Sequence, residues 1–261
     1  MRFPSPSQSS ARSISRLPRI LLLSGAVLAM FAVPPAASSA YLTVNGGAQI
    51  ETLPYGQEVL LLTTNGIAQI GSAFTTEPIV FDDRYRFHTV FKFVFSQPGG
   101  IGAADGITFT IQTQGANALG GGGGALGVSG ITPSVGINFV TYQNYWDISD
   151  NTVGVITNGS YEGVDQHSPY GVVGCYSPTG IYGCMGNGDL WSVWIDYDGE
   201  TLSVALADNS TVRPPNLIEY PIDLFSILGG KPAYVGFTGA TGNGVEYHRV
   251  ASWVFLPDPK R

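Results

Sequence analysis

The chain has 261 residues, with 19 Asp and Glu against 12 Lys and Arg and a formal net charge of −7. An acidic, charge-sparse chain with no Lys/Arg cluster repels phosphate backbones and anionic headgroups, which argues against nucleic acid or a membrane surface as partner. Apolar and aromatic content is ample for a sizeable core, and 35 glycines suit many turns, so one large domain is favoured over two small ones.

Residues 1–40 carry Arg2, Arg12, Arg16 and Arg19 with no acidic residue, then an apolar stretch over 20–33 that is short for a bilayer span. Pro34-Pro35 and the small residues Ala36-Ala37-Ser38-Ser39-Ala40 follow, a pattern that suits signal peptidase. Residues 1–40 are therefore predicted to be a cleaved secretory leader, residues 41–261 the mature domain, and the location extracellular or periplasmic. No membrane insertion is expected after cleavage.

Beyond residue 40, amphipathic helical spacing is scarce. Short runs rich in Val, Ile, Phe, Tyr and Thr recur between turn signals, over 87–95, 106–112, 135–142, 153–157, 191–197, 202–207, 234–239 and 250–255. In 87–95 apolar and aromatic residues alternate with others, which buries one face of a strand. Many short strands punctuated by Gly, Pro and Asn predict an all-β sandwich or barrel. Tyr197-Asp198-Gly199-Glu200-Thr201 reads as a type I′ hairpin turn. The tail from Leu256, with Pro257 and Pro259, is expected to fray rather than extend a central strand.

Three distant segments place polar or glycine residues at strand ends. Asp105-Gly106 precedes the run Ile107-Thr108-Phe109, which puts a carboxylate at a strand mouth. Gly120 to Gly124 bares backbone N–H groups, and no Lys-Ser/Thr follows to make a phosphate cradle. Tyr142-Gln143-Asn144-Tyr145-Trp146-Asp147 combines rings that suit the C–H face of a sugar with oxygen donors for hydroxyls or Ca²⁺. Cys175 and Cys184, the two cysteines of the chain, are most simply a disulfide in an oxidising compartment. They lack the second pair that zinc needs.

Taken together, these segments resemble the legume-type (L-type) lectin family. Ala104-Asp105-Gly106-Ile107-Thr108-Phe109 is similar to its Ala-Asp-Gly signature, and Gly123-Gly124-Ala125-Leu126-Gly127 to its glycine loop. Phe139-Val140-Thr141-Tyr142-Gln143-Asn144 through Asp147 is similar to its metal loop. Gly236-Phe237-Thr238-Gly239-Ala240-Thr241-Gly242 and Ser252-Trp253-Val254-Phe255 are similar to its closing segments. The resemblance implies a concanavalin A-like antiparallel β-sandwich or jelly roll and non-catalytic binding of glycans or glycoconjugates. It implies that Asp105, after a cis peptide bond, accepts from two sugar hydroxyls. Gly124 would donate its N–H, Asn144 its amide, and Tyr142 would stack, with Gly242, Asn243 and Gly244 in the selecting loop.

The chain departs from the family at its metal positions, which read Asn138, Val140 and Thr152. No transition metal is expected, and Tyr142, Asn144 and Asp147 are left as ligands for at most a weak calcium ion. One rival reading is a structural or adhesive surface protein that has lost its sugar. The other is a glycoside hydrolase, for which the two-carboxylate string Glu-x-Asp-x-x-Glu is missing and Glu162 and Asp165 read as a polar loop. A serine or cysteine hydrolase is weaker still, because His88, His167 and His248 have no Gly-x-Ser-x-Gly partner.

Overall fold

The computed structural model describes residues 41–171 and 184–257; the predicted leader, Cys175 and residues 258–261 lie outside them. The strands are β1 (Leu42–Gly46), β2 (Gln49–Thr52), β3 (Glu58–Thr63), β4 (Ile70–Thr75), β5 (Phe87–Gly100), β6 (Gly106–Gln112) and β7 (Ser134–Val140). They continue with β8 (Thr152–Thr157), β9 (Asp165–His167), β10 (Trp191–Tyr197), β11 (Thr201–Asp208), β12 (Ile218–Pro221), β13 (Tyr234–Ala240) and β14 (Gly244–Pro257). Among the described residues they form two seven-stranded sheets, ordered β1-β4-β13-β6-β7-β8-β9 and β12-β11-β10-β5-β14-β3-β2. The pairings are antiparallel, and consecutive strands such as β5 and β6 belong to different sheets. The all-β antiparallel sandwich anticipated from the sequence is the fold observed.

Alternation in β5 is what joins the sheets. Phe87, Phe91, Phe93 and Phe95 turn inward, while His88 and Val90 face out. The Phe91 ring lies 6.0 Å from Phe109, 5.6 Å from Phe139 and 5.0 Å from Phe237. Those three partners stand on β6, β7 and β13 of the other sheet, so one strand of the second sheet closes the core against three of the first. Strands β6 and β7 are buried along their whole length although they alternate: Ile107, Phe109 and Ile111 with Val135, Ile137 and Phe139 enter the core between the sheets, while Thr108, Thr110 and Asn138 are buried on the other face.

Two local expectations are corrected. Asp198-Gly199 does connect β10 to β11, but Gly199 alone takes a positive φ, of 101°. Asp198 instead accepts the backbone N–H groups of Glu200 and Thr201 at 2.9 and 2.8 Å, an Asx-type turn rather than type I′. The fraying expected from Leu256 is likewise not seen up to Pro257: Leu256 pairs with His88 and Pro257 with Phe87. Proline is tolerated there because β3 pairs only with His248, Arg249 and Val250, so no β3 carbonyl needs an N–H from Pro257. No helix among the described residues is long and apolar enough to cross a membrane.

Candidate carbohydrate cleft

The carboxylate of Asp105 sits at one end of the sandwich, where β6 begins. A cis peptide bond joins Ala104 to Asp105. The Asp105 N–H donates to Ala240 O at 3.1 Å, and its carbonyl accepts from Thr141 N at 3.0 Å, so the residue is held between the ends of β13 and β7. Gly106 must be glycine, because its φ is +129° and a Cβ there would stand 2.0 Å from Phe139 O. Asp105 is 4% exposed, and its Oδ2 has no hydrogen-bond partner.

That oxygen faces bare backbone. A side-chain carbon at Gly242 would stand 3.2 Å from it, and one at Gly123 4.0 Å. Both glycines line a cleft of about 310 Å³, with Ile67, Ala68, Gly122 and Asn243 on its wall. The glycine run is an ordered turn rather than a linker. Gly120 N–H donates to Gly127 O at 2.8 Å, Gly121 to Ser129 at 2.9 Å, and Thr238 Oγ1 to Leu126 O at 2.7 Å. The β3–β4 loop is tied to the same rim: Ala68 N–H donates to Gly242 O, and Thr241 Oγ1 donates to Gly66 O.

Burial pushes the Asp105 carboxyl up to about 7. Nearby Glu246 adds repulsion, the backbone N–H of Gly242 close to the carboxyl pulls the other way without meeting the geometry of a hydrogen bond, and Asp147 adds a smaller repulsion. An acceptor of this kind, desolvated and turned toward N–H-bearing glycine backbone, suits a neutral ligand with hydroxyl groups.

Of the residues singled out from sequence, Asp105, Gly124, Asn144, Gly242 and Asn243 come together here. Asn144 packs so closely on Gly124 that a Cβ at Gly124 would lie 2.6 Å from Asn144 Nδ2. Gly244 stands apart from the open cleft: it is buried, and a Cβ there would meet Ala104 Cβ at 2.7 Å. Tyr142 is half-buried. The most exposed ring on its loop is Tyr145, 90% exposed, set edge-on to Trp146, which stacks on Tyr161. Sequence reasoning singled out the glycine run from Gly120 to Gly124 but assigned only Gly124 to the site, and it missed Ile67 and Ala68. The run of glycines held a signal for Gly122 and Gly123, whereas the apolar rim comes from a loop 35 or more residues upstream that only the fold brings near.

The metal loop is built differently from a cation site. Asp147 Oδ2 accepts from Asn144 N at 3.0 Å and from Asn144 Nδ2 at 3.1 Å, and the same amide nitrogen reaches Tyr142 O at 3.4 Å. The three expected ligands thus bond to one another through Asp147 Oδ2, while Asp147 Oδ1 takes no part. Val140 is 2% exposed and packs with Leu126, Val128 and Ile156 in an apolar cluster. Thr152 Oγ1 donates to Ser149 O at 2.9 Å. Among the described residues no three His, Cys, Asp or Glu side chains gather as a metal-binding group. Two buried oxygens, Asn138 Oδ1 and Asp147 Oδ1, are left without partners. With one carboxylate, no imidazole and an amide that presents nitrogen, the donors do not fit a transition metal, and as they stand they do not form a calcium site.

The histidines make no accessible catalytic set. His88 pairs with Asp196 at 2.7 Å on the outer face. His167 pairs with Asp165 at 2.9 Å; Asp165 lies in edge strand β9 rather than in the polar loop expected of it. His248 bridges Thr63 Oγ1 (2.6 Å) and Glu246 Oε1 (3.1 Å), a hydroxyl–imidazole–carboxylate chain, but all three residues are 0% exposed and no substrate carbonyl can reach Thr63.

The legume lectin domain model matches residues 30–260. The chain is 31% identical over 227 residues to an L-type lectin-domain containing receptor kinase of Arabidopsis thaliana, covering 82% of this chain but only 33% of the kinase. It is 28% identical to a lectin-like protein of the same plant, covering 71% and 74% of the two chains. Among solved structures, peanut lectin with a 9mer peptide superposes with a TM-score of 0.68 at 25% identity, over 85% of this chain and 94% of that one. Winged bean acidic lectin complexed with methyl-α-D-galactose does so with a TM-score of 0.68 at 27% identity, over 86% and 95%.

Proposed function

Because this chain belongs to the legume lectin domain family, we propose that it is a non-catalytic lectin that binds a neutral glycan in the cleft at Asp105. The observation that carries the reading is the buried, unpartnered Oδ2 of Asp105 facing the bare backbone of Gly123 and Gly242. A desolvated acceptor left empty is costly, and a pair of sugar hydroxyls answers it. The winged bean relative complexed with methyl-α-D-galactose supports a hexose as the class of ligand. Asn144 contributes its amide, Gly124 its N–H and Asn243 the variable rim, while Tyr142 or the more exposed Tyr145 offers a ring face.

A glycan array on the protein, followed by titration of the best ligand against Asp105→Ala, tests this. Two charge-assisted bonds at about 1.5–3 kcal/mol each correspond to a loss of at least about a hundredfold. Unchanged affinity in the variant, with unchanged thermal unfolding, puts the site elsewhere.

One observation favours a second reading, a structural or adhesive protein without sugar. The strand that holds cations in the family ends here in Val140 within an apolar cluster. An array with no ligand above background, from protein that unfolds cooperatively, decides for that reading. We further propose export, with removal of residues 1–40, and a Cys175–Cys184 disulfide; Cys184 is buried, and Cys175 lies outside the described residues. Intact mass of the protein from culture medium, before and after reduction and alkylation, checks both. A mass that retains the leader, or two thiols alkylated without reductant, refutes the corresponding half.

A further inference from the structure

A second pocket, of about 480 Å³, lies outside the Asp105 cleft; its wall includes Pro98, Ile101, Ala103, Thr141, Asp150 and Gly186, and it shares none of Gly122, Gly123, Gly242 or Asn243 with the cleft. Its size falls in the range of small-molecule sites, and its walls are mainly apolar side chains and glycine backbone.

Behind this pocket lies Glu246, 0% exposed. Its Oε1 is engaged, accepting from the Thr141 hydroxyl and from His248 Nε2, the latter at 3.1 Å. Its Oε2 is buried with no partner. That oxygen is directed at a lining residue: a Cβ on Gly186 would stand 3.1 Å from it and 3.3 Å from Ala103 Cβ. The Gly186 backbone stands between the pocket and the carboxylate, and because Oε2 has no accessible surface of its own, a donor from the pocket reaches it when the Met185–Asn187 turn shifts. The nearest wall hydroxyl, on Thr141, is already spent on Oε1. A second carboxylate, Asp150, lines the pocket, and among the described residues that line it none is Lys, Arg or His.

We propose that this pocket is a second ligand site, for a small organic amine whose ammonium group donates to Glu246 Oε2 and whose apolar body packs against Pro98, Ile101 and Ala103. A buried acceptor with acidic surroundings selects a cationic donor over a neutral one. The inference goes beyond the sugar reading and does not depend on it, since its readout contains no sugar.

Benzylamine and butylamine at neutral pH, compared with benzyl alcohol, are the probes, with binding followed by ligand-observed NMR and calorimetry on the whole protein. The expected result is that at least one amine binds at least tenfold more tightly than benzyl alcohol. Glu246→Gln, which keeps the shape and removes the charge, should lose at least tenfold. Gly186→Ala is an independent variant; its φ of −81° accepts a Cβ, which would stand 3.1 Å from Oε2 and occupy the approach to it. It should weaken the amine by at least tenfold while the fold, judged by circular dichroism, stays intact. If benzyl alcohol binds as tightly as the amines, if neither amine binds the unaltered protein, or if amine binding survives in a folded Gly186→Ala protein, the proposal is overturned and the unpartnered oxygen is a water site only.

Discussion

At the scale of the residue, Asp105 does two things whose pH dependences have opposite signs. Its carboxyl is raised by burial to about 7, above its unfolded value near 4, so the folded state holds a proton that the unfolded state has released. Its contribution to stability is fully present below about pH 4 and is lost as pH rises through about 7. In the proposed sugar site the dependence runs the other way, because there the ionised group is the acceptor. Affinity for the array-selected glycan should rise at least tenfold between pH 5 and pH 8, with an inflection near 7, and Asp105→Asn should flatten that inflection at a low level. A profile in the native protein that is flat across this window removes Asp105 from the binding group. The residue was legible in sequence as a carboxylate at a strand mouth. Its shifted titration was not, since Glu246, the largest repulsive partner, lies 141 positions away and meets it only through the pairing of β14 with β5.

At the scale of the element, the loop between β7 and β8 is fastened by its own polar groups. Gln166 on β9 accepts Ile148 N–H at 3.1 Å and donates to Trp146 O at 3.0 Å, while Gln143 donates to Asp147 O and Ile148 O at 3.3 Å each. Asn144 and Asp147 close the turn, and Val140 anchors the strand on Leu126 and Val128 of the glycine loop. Protein hydrogen bonds and an apolar contact thus stand where a cation would cross-link the same pieces. Exhaustive treatment with a chelator should leave thermal unfolding and glycan affinity unchanged, and elemental analysis should find no stoichiometric transition metal. Gln166→Ala, by contrast, removes two hydrogen bonds and should cost about 1–3 kcal/mol in a denaturant titration. Loss of sugar binding on chelation, restored by calcium, would return Tyr142, Asn144 and Asp147 to the role of ligands. The substitutions at Asn138, Val140 and Thr152 are plain in the sequence, but the substitute fastening is not. Gln166 carries no motif, and its partnership with Trp146 requires β9 to lie beside β8.

At the scale of the whole molecule, the sandwich was the most legible feature, because strand periodicity and turn residues are local and the inward positions of β5, rings at Phe87, Phe91, Phe93 and Phe95 with Thr89 between the first two, repeat every second residue. What the sequence did not disclose is which strands share a sheet. Strands β5 and β6 are neighbours in the chain, yet Phe91 and Phe109 face each other across the core at 6.0 Å. Phe91 is therefore the residue on which cohesion between the sheets most depends, touching rings on β6, β7 and β13 and fully buried. Phe91→Ala leaves a cavity where both sheets meet and should destabilise the domain by about 3–5 kcal/mol, read as a lower urea midpoint at unchanged slope. Lys92→Ala, one position along and turned to the other face, should stay within about 0.5 kcal/mol of the parent. The pair separates core cohesion from strand propensity, since both changes put alanine into the same strand. Equal effects at the two positions would mean that β5 is held by its ladder to β10 and β14 rather than by the rings between the sheets.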